Sequence, residues 1–273
     1  MAQEYPIQIM DEGHILVKVK LSDSISGNFV LDTGAGANVL SQNLFQKIEH
    51  KAEDAGFFTG FRHDGDRLDG EVYQIPYLSI GEVKQPNPIV GVYPPLDGFG
   101  IDGLLSLKFF EDKPFMIDFK GNKIKFLPQG WQAQLTEPIS SIPIYTYKHT
   151  NILLDIFIPI TLNNTLETLA EFDTGSGYGA YILNPGYIAK LGIAHEDLTK
   201  QPYRTQLSGQ ERQDLIYNMS SISIGGTSSI LEKENIGVIF REGLICNALI
   251  GSGMFKNQRI VIDIPNRTFH VLP

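Results

Sequence analysis

The chain has 273 residues, 42% of them hydrophobic and 19% charged, enough to bury a core in one large or two smaller domains and too apolar for disorder. Its 22 basic and 31 acidic residues leave a net charge of −9, which repels phosphate backbones and excludes nucleic-acid binding through a basic face. No run approaches the ~18 apolar residues of a membrane span; the best, 151–160, contains Asp155 and Pro159.

The start, Met1-Ala2-Gln3-Glu4, has neither a positively charged nor an apolar leader segment. If it is an expression methionine before a signal-cleaved end, a periplasmic or secreted location is expected, and otherwise a cytoplasmic one. Residues 14–20 place Ile15, Val17 and Val19 on one face of a strand. Helices are expected over 41–49 and 104–110, with strands over 71–80, 88–93 and 123–127. A polar linker follows at 129–138, in which Trp131 is read as an anchor between lobes. Beyond it, 185–191 and 254–255 read as short helices, and 218–224 and 259–264 as strands. Cys246, the sole cysteine, lies among apolar residues and reads as a small buried hydrophobe; it allows no internal disulfide and no cysteine-based zinc site. Gly and Pro punctuate short runs rich in Val, Ile, Phe and Tyr throughout, so the expectation is an all-β protein with few short helices.

The sequence also repeats itself. Phe29-Val-Leu-Asp-Thr-Gly-Ala-Gly36 recurs 141 residues later as Ala170-Glu-Phe-Asp-Thr-Gly-Ser-Gly177. Residues 101–128 align without gaps on 246–273, 145 apart, with identities at Leu104/Leu249, Phe110/Phe255, Ile117/Ile262, Asp118/Asp263, Leu127/Leu272 and Pro128/Pro273. Leu78-Ser-Ile-Gly81 matches Ile222-Ser-Ile-Gly225, and Ile15-Leu16 matches Ile152-Leu153. Offsets that drift upward in chain order are those of two diverged copies, so two lobes are expected, 1–134 and 135–273.

Each copy runs an apolar strand into Asp-Thr-Gly. A carboxylate at a buried strand end is costly to ionise without supporting hydrogen bonds. Gly34 and Gly175 offer unhindered N–H groups, and Thr33 and Thr174 hydroxyls that can bridge to the opposite copy. If the lobes pack about a pseudo-twofold axis, Asp32 and Asp173 meet and share a proton, one serving as base on a water and the other polarising a carbonyl. The following residues differ, Ala35 against Ser176, and a Ser176 hydroxyl on Asp173 would make the pair unequal.

These motifs resemble the aspartic peptidases of the pepsin/retropepsin superfamily, and in pattern most of all the bacterial retropepsin-like aspartyl proteases. Each copy carries apolar-Asp-Thr-Gly-Ala/Ser, then an apolar-apolar element before a short helix, then Phe115-Met-Ile-Asp-Phe119 or Ile260-Val-Ile-Asp-Ile264. The resemblance implies a bilobal acid-protease fold and a monomer, since one chain holds both halves. It further implies an aspartic endopeptidase that needs neither cofactor nor metal. Asp32 and Asp173 would be catalytic, supported by Thr33, Gly34, Ala35, Thr174, Gly175 and Ser176, and the substrate would be an extended polypeptide with apolar residues flanking the cleaved bond. Candidate flaps are Gly56, Thr59 and Gly60 in the first lobe and Ser208 and Gly209 in the second, with 63–71 suiting a hairpin tip. One departure stands out: Ser106 replaces the glycine that the second copy keeps as Gly251, so the first lobe is expected to pack differently there.

Other readings fit less well. Gly175-Ser-Gly-Tyr-Gly-Ala180 matches a dinucleotide fingerprint but lacks the alternating strand–helix rhythm. The acidic stretch 64–71 has Asp69 where a calcium loop needs glycine, and reads as a solvated turn. The histidines show no zinc-peptidase spacing, and no Gly-x-Ser-x-Gly occurs. The rival from another class is a catalytically silent protein of the same fold that binds peptides or partners.

Overall fold

In the computed structural model, residues 3–135, 139–226 and 229–272 are described. Met1, Ala2, Pro273 and Pro138, the far end of the expected linker, lie outside them. The protein is all-β and bilobal, built from three sheets with few short helices. A ten-stranded sheet uses only residues from Gln8 to Leu105, and an eight-stranded sheet only residues from Tyr145 to Gly251. The third, six-stranded sheet draws on both halves and joins them: Phe115–Asp118 pairs antiparallel with Arg259–Asp263, Phe115 facing Ile262 and Ile117 facing Ile260. One apolar core, including fully buried Phe29, Phe110, Phe172, Phe255 and Phe269, runs through all three.

Elements recur in the same order in the two halves. Ser26–Leu31 and Leu166–Asp173 are each flanked by a parallel partner, Gly103–Leu105 and Ala248–Gly251. Short helices Gln42–Gln46 and Gly186–Lys190 follow, and 3-10 turns at Leu107–Phe110 and Ser252–Phe255 close the same step. The run 104–110 is thus not one helix: Leu104 and Leu105 pair with Val30 and Leu31 as strand, and only the residues after Ser106 turn. The run 71–80 likewise splits into Arg67–Gln74 and Tyr77–Ile80 around Pro76, which has no N–H to continue a ladder. The second half has no proline there, and Glu211–Ile224 is one continuous 14-residue strand.

Trp131 behaves as the expected anchor. It is buried at the chain crossing, its indole Nε1 donates to Asp263 Oδ2 at 2.9 Å, and its ring meets His270 edge-on. Asp263 is fully buried and also accepts from Gln132 and Asn266. Replacing the indole by phenyl leaves that carboxylate short of a donor. Trp131→Phe is therefore expected to lower unfolding free energy by about 1–3 kcal/mol, read from urea midpoints at constant m-value.

Candidate functional site: a carboxyl pair between the lobes

The strand Ser26–Leu31 and the strand Leu166–Asp173 deliver their ends to one point between the lobes. There the backbone N–H of Thr33 donates to Thr174 Oγ1 at 3.1 Å, and that of Thr174 to Thr33 Oγ1 at 3.0 Å. Each hydroxyl passes its own proton across, Thr33 Oγ1 to Phe172 O and Thr174 Oγ1 to Leu31 O, both at 2.6 Å. Both threonines are fully buried, so these groups have no solvent alternative.

The crossing brings the Asp32 and Asp173 side chains into one cleft between the lobes. Each lies against the glycine of the other half: a Cβ on Gly34 would collide with the Asp173 carboxyl, and one on Gly175 with that of Asp32. No side chain fits at either position, which is why Thr-Gly follows each aspartate. Asp32 Oδ1 accepts from the N–H groups of Gly34 and Ala35, both at 3.0 Å. Asp173 accepts from Ser176 N at 3.2 Å and from Ser176 Oγ at 2.5 Å. The two carboxyls thus differ in support, since only Asp173 has a hydroxyl donor. Burial, then the charge of Asp173, pushes the Asp32 carboxyl well above the ordinary range.

The pair opens into a cleft of about 620 Å³ between the lobes. Val39, Phe58, Leu68, Leu104, Leu153 and Ile245 give it apolar walls. Two further carboxyls, not among the expected site residues, also line it. Glu171 lies two residues before Asp173 on the same strand, so strand alternation alone puts it on the same face. Asp155 projects beside Gly36 from Leu153–Leu162; its signal was a lone acid interrupting an apolar run. Burial raises Asp155 to about 6 and, with the charge of Asp173, holds Glu171 well above the carboxylate range. Cys246 is half-buried, its thiol pushed up by burial and by Glu171. Among the described residues, no group of three His, Cys, Asp or Glu side chains could hold a metal ion.

The expected flap residues separate. The hairpin Glu53–Phe61 and Arg67–Gln74 stands over the cleft, and Thr59 and Gly60 line it. Gly56 sits instead at an exposed register break near the hairpin's base. Ser208 and Gly209 do not line the cleft; they belong to the turn after Thr199–Arg204, against which the first hairpin's tip rests. That tip is 62–66 rather than 63–71, the residues from Arg67 on being strand. Nor is it solvated: Asp64 and Asp66 are 0% and 5% exposed, each bonded to the other half of the chain. His63, also unforeseen, lines the cleft from this tip, with Nε2 3.2 Å from Arg241 Nη1. Because Arg241 can only donate, Nε2 accepts and the ring proton is on Nδ1.

Ser106 differs from its counterpart as expected. Gly251 admits no Cβ because the carbonyl of Gly177 passes too close. Gly251 N donates to the backbone oxygen of Ala180, whereas Ser106 N donates to the side chain of Asn38, at Oδ1 and 2.9 Å, and Ser106 Oγ caps the 3-10 turn through Lys108 N.

A family model described as "Aspartyl protease" matches residues 17–109. It spans the first Asp-Thr-Gly and supports a protein of the aspartic-protease kind with a protease-like function. Among solved structures, the crystal structure of edgp superposes with a TM-score of 0.60 over 99% of this chain and 94% of that one, at 12% identity, a likeness of fold. No curated protein matches the sequence significantly.

The raised carboxyls have a measurable consequence. An acid with a folded pKa above its unfolded value binds its proton more tightly when folded, so it favours the folded state at low pH and loses that contribution as pH rises through the folded value. For Asp155 the window runs from its ordinary 3.8 to about 6. Melting temperature is expected to fall as pH rises across that window, with a shallower fall in Asp155→Asn. Identical slopes in the two proteins would refute it.

Proposed function

We propose that the chain is an aspartic endopeptidase, its two lobes, 1–134 and 135–273, being tandem copies that each supply one carboxyl of a shared-proton pair. The observation that carries this reading is the reciprocal geometry of Asp32 and Asp173, held together by crossed threonine bonds and packed on each other's glycines. Asp32, with the raised affinity, holds the proton and donates it to the carbonyl oxygen of the peptide bond. Asp173, carrying the charge and steadied by Ser176, takes a proton from the attacking water. The tetrahedral intermediate collapses as a proton passes to the leaving nitrogen, and the pair returns to its starting state. Thr33, Gly34, Ala35, Thr174 and Gly175 position the carboxyls without touching the reacting atoms.

The substrate is a polypeptide in extended form, presenting apolar side chains to Val39, Phe58, Leu104 and Leu153 around the bond to be cut. The protein acts as a monomer, since both halves of the pair come from one chain. Cleavage of an unstructured protein between pH 3 and 7, with and without pepstatin, tests the activity. Asp32→Asn and Asp173→Asn are each expected to lower kcat by about 10³-fold or more, at the upper end of what a positioned acid or base supplies. Binding of pepstatin without cleavage at any pH would instead favour a silent peptide-binding protein.

Ser176 gives a finer test. Removing its hydroxyl leaves the Asp173 side of the pair with the Ser176 N–H alone, and so takes a donor from the charge that the two carboxyls share. Ser176→Ala is expected to move the acid limb of the kcat/KM profile upward by about one pH unit, leaving the alkaline limb less affected. An unmoved acid limb would show that the hydroxyl does not set the asymmetry.

A further inference from the structure

Two carboxyls of the cleft have no part in the chemistry assigned to Asp32 and Asp173, and the protein gives neither a counter-charge. Glu171 lies two residues before Asp173, its side chain on the same face of Leu166–Asp173. Asp155 stands on the adjoining strand Leu153–Leu162, where Phe157, two residues on, faces Glu171 directly. Residues directly opposite share a face of the sheet, so both acids look into the cleft, and the charge of Asp155 is felt at Glu171. Asp155 Oδ1 is 3.1 Å from where a Cβ on Gly36 would stand, which sets it beside the loop that carries Asp32.

Neither acid takes part in an ion pair among the described residues. The Cys246 thiol beside Glu171 is a weak donor, and its proton has Ala248 O at 3.3 Å as a partner. The basic side chains at the hairpin tip are engaged elsewhere: Arg62 Nη2 donates to Gln206 Oε1 at 2.6 Å, and His63 is bonded to Arg241. Withdrawing a carboxyl from water without a partner is costly, and an apolar residue would fill either position without that cost. The surroundings supply a second kind of contact. Tyr147 sits directly opposite Asp155 on Tyr145–His149, lines the cleft and is more than half exposed. Leu153, one alternation from Asp155, adds an aliphatic wall. An open aromatic ring, an aliphatic wall and two carboxyls without cations are the complement of a long basic side chain. Its methylenes lie along the ring and the wall, and its charged end reaches the acids.

We propose that Glu171 and Asp155, together with Tyr147, form a subsite that selects a lysine or arginine side chain of the substrate. The inference rests on the reading of the cleft as a peptide site and adds one charged position to its apolar walls. That position lies on one side of the cleaved bond only, because the counterparts of Glu171 and Asp155 in the first half are Val30 and Lys18. A cation placed between the acids opposes the effect of burial, so they ionise as it enters. A norleucine side chain would fill the same space and leave both carboxyls unsatisfied.

The experiment uses apolar eight-residue peptides in pairs, one with lysine and one with norleucine at a single position that is moved along the peptide in turn. The two side chains share an aliphatic stem and differ in the ammonium group. At one position on one side of the cleaved bond, the unmodified chain is expected to favour lysine about tenfold or more in kcat/KM. Glu171→Gln is expected to lower that ratio about tenfold, and Asp155→Asn about threefold. Each ratio compares two peptides on one protein, so any effect of the substitution on Asp32 and Asp173 cancels. Acids that act only on the carboxyl pair would slow both peptides equally and leave the ratio unchanged, which would overturn the subsite. Lack of a lysine preference at every position of the unmodified chain would overturn it as well. Should Glu171→Gln fail to fold, Asp155→Asn carries the comparison.

If neither peptide is cleaved, the endopeptidase reading falls, and the ratio is taken from Kd values of the same peptides, fluorescein-labelled and read by anisotropy. A tenfold preference for lysine that is lost in Glu171→Gln then still supports the subsite, in a protein that binds peptides without cutting them. Equal affinities overturn it, and if no peptide binds, the peptide-site reading and the subsite fall together.

Discussion

Four buried polar groups at the Thr33–Thr174 crossing can be satisfied only by each other's half of the chain. The N–H of each threonine has the other's hydroxyl as its partner, and each hydroxyl is anchored on a carbonyl of the opposite strand. A shift of one lobe by even half a hydrogen-bond length would leave buried donors unpaired, which is more costly than the bonds are individually favourable. The aspartates immediately before the threonines and the glycines immediately after them therefore inherit a fixed placement. Carboxyl-to-carboxyl and carboxyl-to-glycine contacts follow from that one constraint, and the shared sheet beyond Phe115 and Arg259 holds the same relation at a second level.

Within this near-symmetric frame the electrostatics are uneven. Asp32 has backbone donors alone, whereas Asp173 has the Ser176 hydroxyl, with Glu171 two residues behind it and Asp155 on the neighbouring strand. The residue corresponding to Glu171 in the first half is Val30. Acid groups therefore gather on the second-lobe side of the cleft, and each makes ionisation of the next less favourable. Protons are retained on Asp32, Asp155 and Glu171 at pH values where exposed carboxyls have lost them. Of these neighbouring acids, Asp173 is the one with a hydroxyl donor.

The parts legible in the sequence are those set by local rules. Asp-Thr-Gly at the end of an apolar run signals a strand entering a tight loop, and its recurrence signals the pairing of two such loops. The short helices at Gln42–Gln46 and Gly186–Lys190 lie within the segments that their patterns mark. Leu104 and Leu105 read as helical because an apolar run alone does not separate a buried strand from a helix; their parallel pairing with Val30 and Leu31 is a long-range fact. The burial of Asp64 and Asp66 is hidden from the sequence for the same reason. In composition 64–71 is a solvated turn, and its burial is decided by Tyr203 and Ser208, about 140 residues away in the chain. Glu171 was the reverse, legible from its i−2 spacing to Asp173 yet outweighed by the motif beside it.

The lobes are joined on three levels: the six-stranded sheet beneath, the threonine crossing in the middle and the hairpin tip above. The first two bury apolar strands and fully enclosed hydrogen bonds, and breaking either would disrupt the common core. Swinging the lobes apart would break both, whereas lifting the hairpin breaks the bonds of its tip, and the exposed Phe57 and Phe61 mark its outer part as the less packed. Structure of this kind opens at its least packed element. The sheet and the threonine crossing that keep Asp32 and Asp173 in register thus lie on the far side of the carboxyls from the hairpin, so the contacts that fix the pair are separate from those that cover it.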